Sequence, residues 1–409
     1  MSVYDDPAIQ SPAVDPGLFA LDPSIVFLNH GSFGSCPIAV LEYQNGLRKR
    51  MERQPVQFLA RDLEDLLDES RRTLGEFVGA DPDDLVFVPN ATSGVNAVLR
   101  SIRFQPGDEL LVTDHEYNAC RNAINYAAEL GGAKVVTVRI PFPLSSPDEV
   151  IAAVMAKVSE KTRLLVIDHV TSPTGLILPI QSIVNQLNEL GIDTFVDGAH
   201  APGMIPVNIE EIGAAYYTGN CHKWLCAPKG AGFLHVQKNK QEEVRPLIIS
   251  HGANSPRTDR SRFQIEFAWM GTNDPTAALC LPRAIEYMGS LLPGGWSEIM
   301  DRNRKLALAA RKIICLTFNV PSPSPDSMIG SLASIPLPDS RGPEPLVGRT
   351  QFTRWQNELM ARCKVEVPII PWPSHPHRLV RISAQVYNFM AQYDLLAEGL
   401  KELGDDQVS

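Results

Sequence analysis

The residues between positions 194 and 224 have types and spacing that suit covalent chemistry. A short apolar run ends on Asp197, His200 follows three residues later, and Lys223 stands directly after His222. A buried carboxylate at a strand end is costly unless it meets a positive partner, and a lysine among small and aromatic residues is a candidate Schiff-base amine. Pyridoxal phosphate requires both groups, because its aldehyde binds a lysine and its pyridinium nitrogen pairs with a carboxylate. The stretch therefore predicts a pyridoxal phosphate site.

A second candidate element lies at residues 90–94, where a strand-like run over 85–88 gives way to apolar residues at helical spacing. A helix start at this junction would present free N–H groups and the positive end of the helix dipole to an anion. Alternatively, Thr92 or Ser93 serves only as an N-cap and needs no ligand. A pyridoxal phosphate site must also hold the phosphate, so the combination with the lysine favours anion binding.

The elements that position these residues alternate between strand-like and helix-like patterns. Continuous Val/Ile/Leu runs separated by amphipathic stretches predict a mainly parallel sheet with helices on both faces. Polar clusters follow three of these runs, at 114–118, 171–175 and 197–200. Ligands of such sheets bind beyond the carboxyl ends of the strands, so we expect the three clusters to lie at one edge.

The pattern changes near residue 296, where a long amphipathic helix leads into an α+β segment. We therefore predict an α/β protein with an N-terminal arm over 1–24, a large coenzyme-binding domain over 25–290 and a smaller C-terminal domain over 291–409. Arg381 stands inside an apolar run of the smaller domain. A buried guanidinium there needs either a structural salt bridge or the carboxylate of a ligand.

Composition excludes several classes of partner. The 409-residue chain has a formal net charge of −10, which argues against nucleic acid because phosphate binding needs a basic surface. No apolar run approaches the length of a membrane span, and the acidic first residues lack a signal-peptide core. Seven cysteines at irregular spacing indicate reduced thiols in a cytoplasmic protein rather than a disulfide framework.

Seven motifs together resemble the class V aminotransferases, a family of pyridoxal phosphate enzymes of fold type I. They are LNHGSFG, NATSGVN, DHEYNA, HVTSPTG, VDGAHAPG, GNCHKW and RISAQVYN. The set is most similar to the isopenicillin N epimerase-like branch, which also resembles ergothioneine-pathway C–S lyases, and it spans residues 27–388 in the family's order. The resemblance implies a mainly parallel seven-stranded sheet, pyridoxal 5′-phosphate as cofactor and a homodimer.

The resemblance also implies roles for individual residues. Lys223 would form the Schiff base and act as general base, Asp197 would pair with the ring nitrogen, and His200 would lie beside the ring. The other implied cofactor-binding residues are Ala91, Thr92, Ser93, Asn220 and His222 for the phosphate, Tyr117, favoured over His115, for the ring face, Ser172 for the ring hydroxyl, and Gly271 and Thr272 for the phosphate of the second subunit. The implied substrate-binding residues are Asn29, His30, Gly31 and Arg381, with Arg381 gripping the α-carboxylate.

One departure from the family bears on the reaction. Cysteine desulfurases of this class carry a nucleophilic cysteine on a loop before the carboxylate-binding arginine, whereas this chain has Glu366 at about that position and Cys363 at an expected helix end. The resemblance therefore favours an epimerase acting at an amino-acid α carbon, with a C–S lyase as the alternative and an aminotransferase or desulfurase less favoured. His30, His115 and Tyr117 all stay candidates for a second acid–base group, and no metal is expected.

Overall fold

The computed structural model describes residues 6–341 and 352–405, and its described part contains three sheets. The strands are β1 (Val26–Phe27), β2 (Leu85–Val88), β3 (Glu109–Thr113), β4 (Lys134–Val138), β5 (Thr162–Asp168), β6 (Asp193–Gly198), β7 (Tyr216–Asn220), β8 (Gly232–Val236), β9 (Leu332–Leu337), β10 (Val365–Glu366), β11 (Ile369–Pro371) and β12 (Arg378–Ser383). The α-helices are α1 (His30–Phe33), α2 (Ile38–Arg53), α3 (Pro55–Gln57), α4 (Leu63–Val78), α5 (Ala91–Ser101), α6 (Asn118–Gly131), α7 (Pro147–Met155), α8 (Ile180–Glu189), α9 (Ile209–Ile212), α10 (Arg262–Ala268), α11 (Thr276–Leu279), α12 (Leu281–Gly289), α13 (Gly295–Thr317), α14 (Arg354–Cys363) and α15 (Met390–Asp405).

The central sheet has seven strands in the order β2-β8-β7-β6-β5-β3-β4, and only β8 runs antiparallel to its neighbours. Alternate residues of a strand point to opposite faces. In β3, Leu111 packs into one apolar cluster, while Leu110 and Val112 pack into another. Because helices cover both faces, the strands are continuously apolar, as the sequence predicted. The predicted α/β class and mainly parallel sheet are confirmed.

The start of α5 is fixed against the carboxyl end of β7. The Asn90 side chain caps the helix by accepting the Ser93 N–H at 2.9 Å. A Cβ at Gly94 would stand 2.3 Å from Thr218 Oγ1, so only glycine allows the helix this close to β7. The helix N-terminus therefore lies at the edge of the sheet where the polar clusters were expected.

The C-terminal part contains the antiparallel sheet β11-β12-β9, which packs with α13 and α15. The apolar run VEVPII at 365–370 forms part of two strands, β10 and β11, with Pro368 between them, because proline cannot donate to a ladder. No helix in the described ranges is long and apolar enough to cross a membrane.

The N-terminal segment packs on this C-terminal part rather than extending freely. Ile9 is fully buried in the C-terminal core, and β1 pairs in parallel with β10. The segment also contains the short 3-10 turns Pro7–Ile9 and Pro16–Leu18. Residues near the start of the predicted large domain thus lie with the smaller one; the domain boundaries themselves stay a prediction.

Candidate active site

Lys223 follows β7, and its amine contacts the ring of His200. Its Nζ lies 3.0 Å from Nε2 of the buried His200, and Trp224 Nε1–H donates to Nδ1 of the same ring at 3.3 Å. An indole nitrogen can only donate, so Nδ1 of His200 has no proton and Nε2 carries the proton of the neutral ring, which it can donate to the unprotonated amine. Burial, and then the charge of Arg381, lowers the pKa of Lys223 to about 8. An unprotonated amine is the form that attacks an aldehyde.

Asp197 is the penultimate residue of the neighbouring strand β6 and is 2% exposed. Its Oδ1 accepts the Ala199 N–H at 2.9 Å, and its Oδ2 accepts the Cys120 thiol at 3.2 Å. Burial raises the pKa of this carboxyl, while these two donors and the nearby Lys223 oppose the rise. A buried carboxylate held in this way fits a cationic ring nitrogen, as the sequence predicted.

The predicted phosphate-binding residues meet at the start of α5. The Ala91 N–H donates to Asn220 Oδ1 at 2.9 Å, which joins the end of β7 to the helix. His222 donates from Nδ1 to the Ala231 carbonyl at 3.1 Å, and burial lowers the pKa of this imidazole to about 4. Thr92 occupies the second position of the helix. The helix N-terminus carries a partial positive charge, so this cradle fits a phosphate.

Arg381 lies on β12 and is 5% exposed. It donates to the Ser172 carbonyl at 2.8 Å, to Ser172 Oγ at 3.1 Å and to Ser32 Oγ at 2.9 Å. Its Nε has no hydrogen-bond partner, and within the described ranges no carboxylate forms a salt bridge with it. Burial lowers the pKa of Arg381 to about 10, so the guanidinium is still charged at neutral pH. A buried cation without a counter-ion can receive the carboxylate of a ligand.

The turn at residues 29–31 contacts the loop that carries the lysine. His30 is fully buried, with Nδ1 2.8 Å from the Tyr387 hydroxyl and Nε2 3.0 Å from the Lys223 carbonyl oxygen. Burial lowers the pKa of His30 to about 3. The Asn29 amide donates to Glu366, and the Gly31 N–H donates to a serine of β12. In the structure His30 therefore supports the lysine backbone, and its predicted contact with the substrate stays a prediction.

The two aromatic candidates after β3 differ in accessibility. His115 is fully buried, with its nitrogens 2.8 Å from Thr174 Oγ1 and 3.2 Å from the Ile140 carbonyl oxygen, and Trp372 packs edge-on against its ring. Tyr117 is 48% exposed and close enough to Arg381 to raise the pKa of the guanidinium. The preference for Tyr117 over His115 as the stacking ring stays a prediction.

The predicted second-subunit residues lie on a separate surface loop. Gly271 has φ of +115°, and Thr272 is exposed. They line a groove that also includes Ser93 and the exposed residues Leu247 and Ile248.

Three buried groups next to Asp197 were not among the predicted site residues: Glu116, Cys120 and Asp168. The sequence contained a signal for two of them. Asp168 ends the apolar run of β5 as Asp197 ends that of β6, and the two residues pair in register. Glu116 belongs to the polar cluster 114–118, which was expected at this edge of the sheet, whereas the place of Cys120 depends on how α6 packs over the strand ends.

The chain is similar to known proteins in sequence and in fold. The family model described as aminotransferase class-V matches residues 39–324. The chain is 33% identical over 399 residues to an isopenicillin N epimerase of Streptomyces clavuligerus, with 95% of this chain and 97% of the relative covered. It is 29% identical over 410 residues to a probable chloroplastic L-cysteine desulfhydrase of Arabidopsis thaliana, with 94% and 84% covered.

A solved structure of a C-DES mutant, with glycine covalently linked to its PLP cofactor, is also similar. It has a TM-score of 0.76 and 20% identity, with 93% of this chain and 97% of that chain covered. At this identity the likeness concerns the fold.

Proposed function

The chain belongs to the aminotransferase class-V family, and we propose that it is an isopenicillin N epimerase-like enzyme that inverts the α carbon of an amino acid or of the amino-acid end of a short peptide. It has the fold of the fold type I enzymes, and its cofactor is pyridoxal 5′-phosphate, as the resemblance implied. The main support for an α-amino-acid substrate is the buried, uncompensated charge of Arg381 near Lys223. A similar relative named isopenicillin N epimerase supports the reaction.

The residues divide the work between cofactor and substrate. When bound, the cofactor withdraws electrons from the substrate α carbon through its protonated ring. In the proposal, Asp197 keeps that ring protonated, His200 orients the Lys223 amine, and the start of α5 holds the phosphate. Arg381 binds the α-carboxylate with its unpaired Nε, while Ser172 and Ser32 keep the guanidinium plane in place.

Inversion needs two proton carriers on opposite sides of the α carbon. Lys223 is the first, because burial lowers the pKa of its amine to about 8, close enough to physiological pH for the amine to take up and return a proton. Tyr117 is our candidate for the second. Both nitrogens of His30 and of His115 already have partners within 3.2 Å, whereas Tyr117 is half exposed and near the proposed carboxylate clamp.

The reaction is tested by incubating the holoenzyme with L-amino acids and short peptides in D₂O. The proposal expects deuterium at the α carbon and a product of opposite configuration, without keto acid. Tyr117→Phe should keep α-deuterium exchange but slow inversion about 100-fold, the usual scale for losing a general acid. Tyr126→Phe is the matched control, since Tyr126 is a similarly exposed tyrosine on α6. Equal inversion rates in both variants would remove Tyr117 from the mechanism.

Lys223→Ala tests the premise of the mechanism. The purified variant should lose the visible absorption band of lysine-bound cofactor, because no other amine is held next to Asp197 and His200 in the proposed arrangement. A band that persists after dialysis would contradict the assignment of Lys223.

A C–S lyase is the second candidate, supported by the similarity to proteins named L-cysteine desulfhydrases at 29–30% identity. Such an enzyme would release pyruvate, ammonia and a thiol from a cysteine conjugate, or pyruvate, ammonia and sulfide from cysteine itself. Appearance of pyruvate and sulfide from L-cysteine, without an inverted amino acid, would replace the epimerase proposal. A desulfurase is less favoured, because burial raises the pKa of the Cys363 thiol and the residue ends α14.

We also propose that the protein is a cytoplasmic homodimer. The exposed apolar residues Leu247, Ile248 and Ile249 lie beside the Gly271–Thr272 loop and are candidates for burial against a second copy. Seven free cysteines agree with a reducing compartment. Light scattering of the wild type and of Ile248→Glu tests the dimer: the wild type should be dimeric and the variant shifted toward monomer. A monomeric wild type would contradict it.

A further inference from the structure

Three carboxylates and one thiol are buried together where the ring nitrogen would lie. One carboxylate oxygen of Glu116, one of Asp197 and the sulfur of Cys120 all lie within 4.8 Å of one another. Asp168 pairs with Asp197 in the register of β5 and β6, and paired side chains of neighbouring strands point to the same face. None of the three carboxylates is more than 7% exposed. Like charges this close in a dry interior cannot all be ionised.

The hydrogen-bond donors distinguish the three groups. Asp197 accepts two donors, the Ala199 N–H and the Cys120 thiol. Glu116 accepts the Tyr117 N–H at 3.1 Å to Oε1, and the nearby Cys120 thiol also favours its charged form, but its Oε2 is left without a hydrogen bond. Oδ2 of Asp168 also has none. Donors stabilise the charged form of a carboxylate, so the negative charge belongs on Asp197.

We propose that Glu116 and Asp168 are protonated at neutral pH while Asp197 alone is ionised, and that release of the Glu116 proton places a second negative charge beside the carboxylate that pairs with the cofactor nitrogen. Both are positioning residues, because they act on the cofactor through Asp197. The inference depends on the cofactor and not on which reaction follows, so it survives failure of the epimerase proposal.

The surrounding charges favour this division. Burial, and then Asp197, raises the pKa of Glu116 to about 8, and burial with Glu116 raises the pKa of Asp168 well above its ordinary value. Arg121 acts in the opposite direction on Glu116 but is itself partly desolvated. The titratable and charged groups that face the cluster are Asp114 beside Glu116, Cys120 and Arg121 on α6, Lys223 after β7, and Tyr217 on β7.

Release of the Glu116 proton has two measurable consequences. In the holoenzyme the added negative charge stabilises the protonated ring, so the absorption of the cofactor should change with an inflection near pH 8. In the apoprotein the folded state favours the protonated acid. The contribution of Glu116 to stability is therefore complete below its unfolded pKa of about 4.3 and is lost as pH rises through about 8.

The experiment is an absorbance titration of the holoenzyme between about pH 6 and pH 10, paired with thermal unfolding of the apoprotein over the same range. Glu116→Gln should abolish the inflection and lose less thermal stability with rising pH than the wild type. Asp84→Asn is the matched control. Burial also raises the pKa of Asp84, but this residue precedes β2, so its loss should alter the stability profile alone. An unchanged inflection in Glu116→Gln would overturn the proposal.

Two further variants keep the test decisive if Glu116→Gln does not fold. Asp168→Asn should leave the inflection in place, because that carboxyl stays neutral throughout; its disappearance would reassign the proton and overturn the proposal. Cys120→Ala removes a thiol donor that favours the charged forms of both Asp197 and Glu116, so it should move the inflection to higher pH. Cys315→Ala, a buried cysteine of the C-terminal core, should move nothing. Identical titrations of the two cysteine variants would contradict the proposed coupling.

Discussion

Two arginines of the C-terminal part are buried to nearly the same extent but differ in their hydrogen-bond partners. Arg302 on α13 is 4% exposed and Arg381 on β12 is 5% exposed, and burial lowers the pKa of each to about 10. Neither forms a salt bridge with a carboxylate in the described ranges. Arg302 donates to the carbonyls of Ala8, Ser11, Gln385 and Asn388, whereas Arg381 reaches two serines and keeps Nε unpaired.

This difference separates a structural arginine from a ligand-binding one. The carbonyls around Arg302 come from the N-terminal arm and from the segment after β12, so the guanidinium joins distant parts of the chain. In Arg381 the Nε–H makes no hydrogen bond, and the guanidinium lies close enough to Lys223 to lower the pKa of its amine. Burial and pKa are the same at both places, so the unused hydrogen-bonding capacity is the informative quantity.

The largest expected effect is on catalysis by Arg381→Ala. Loss of the proposed carboxylate contact should lower kcat/KM about 100- to 1,000-fold, or about 3–4 kcal/mol, mainly through KM. Steady-state kinetics checks this, with thermal unfolding expected to change little. Arg302→Ala is the control and should keep near wild-type kcat/KM once folded. Equal kinetic losses in both variants would break the distinction.

The next effect is on the free energy of unfolding. Here Arg302→Ala should have the larger effect and Arg381→Ala the smaller one. Arg302→Ala leaves several buried carbonyls without a donor and should lower the free energy of unfolding by about 3 kcal/mol. Denaturant titration measures it. Arg381→Ala removes a charge that the folded protein holds without a counter-ion, so its cost should be much smaller. A larger loss for Arg381→Ala would identify that arginine as structural.

The smallest effect concerns the pH at which apoprotein binds its cofactor. Only unprotonated Lys223 attacks the aldehyde, so the rate of cofactor incorporation should rise through about pH 8 and then level off. Arg381 is the second cause of the lowered pKa of Lys223, so Arg381→Ala should move this midpoint to higher pH. Arg302→Ala should leave it in place. Stopped-flow absorbance over a pH series distinguishes the two.

Much of the fold follows from local pattern. The apolar runs of β3, β5 and β6 and the amphipathic helices between them could be predicted, because side-chain periodicity reports which face of each element is buried. Ligands of parallel sheets bind beyond the carboxyl ends of the strands, so it could also be predicted that Asp197 and the start of α5 lie at one edge of the sheet. Lys223 and Arg381 could be recognised because burying a cationic side chain in apolar surroundings costs free energy unless the charge has a partner.

The tertiary structure decided which distant residues and segments contact one another. The pairing of β1 with β10, the packing of Ile9 in the C-terminal core and the contact of His30 with the Lys223 carbonyl join residues far apart in the chain. The approach of Cys120 to Asp197 depends equally on how α6 packs over the strand ends. The sequence by itself therefore determined the cofactor chemistry and the sheet that carries it. Which side chains are paired, and which keep unused donors or protons, was decided by long-range packing, because local periodicity contains no information about contacts between distant segments.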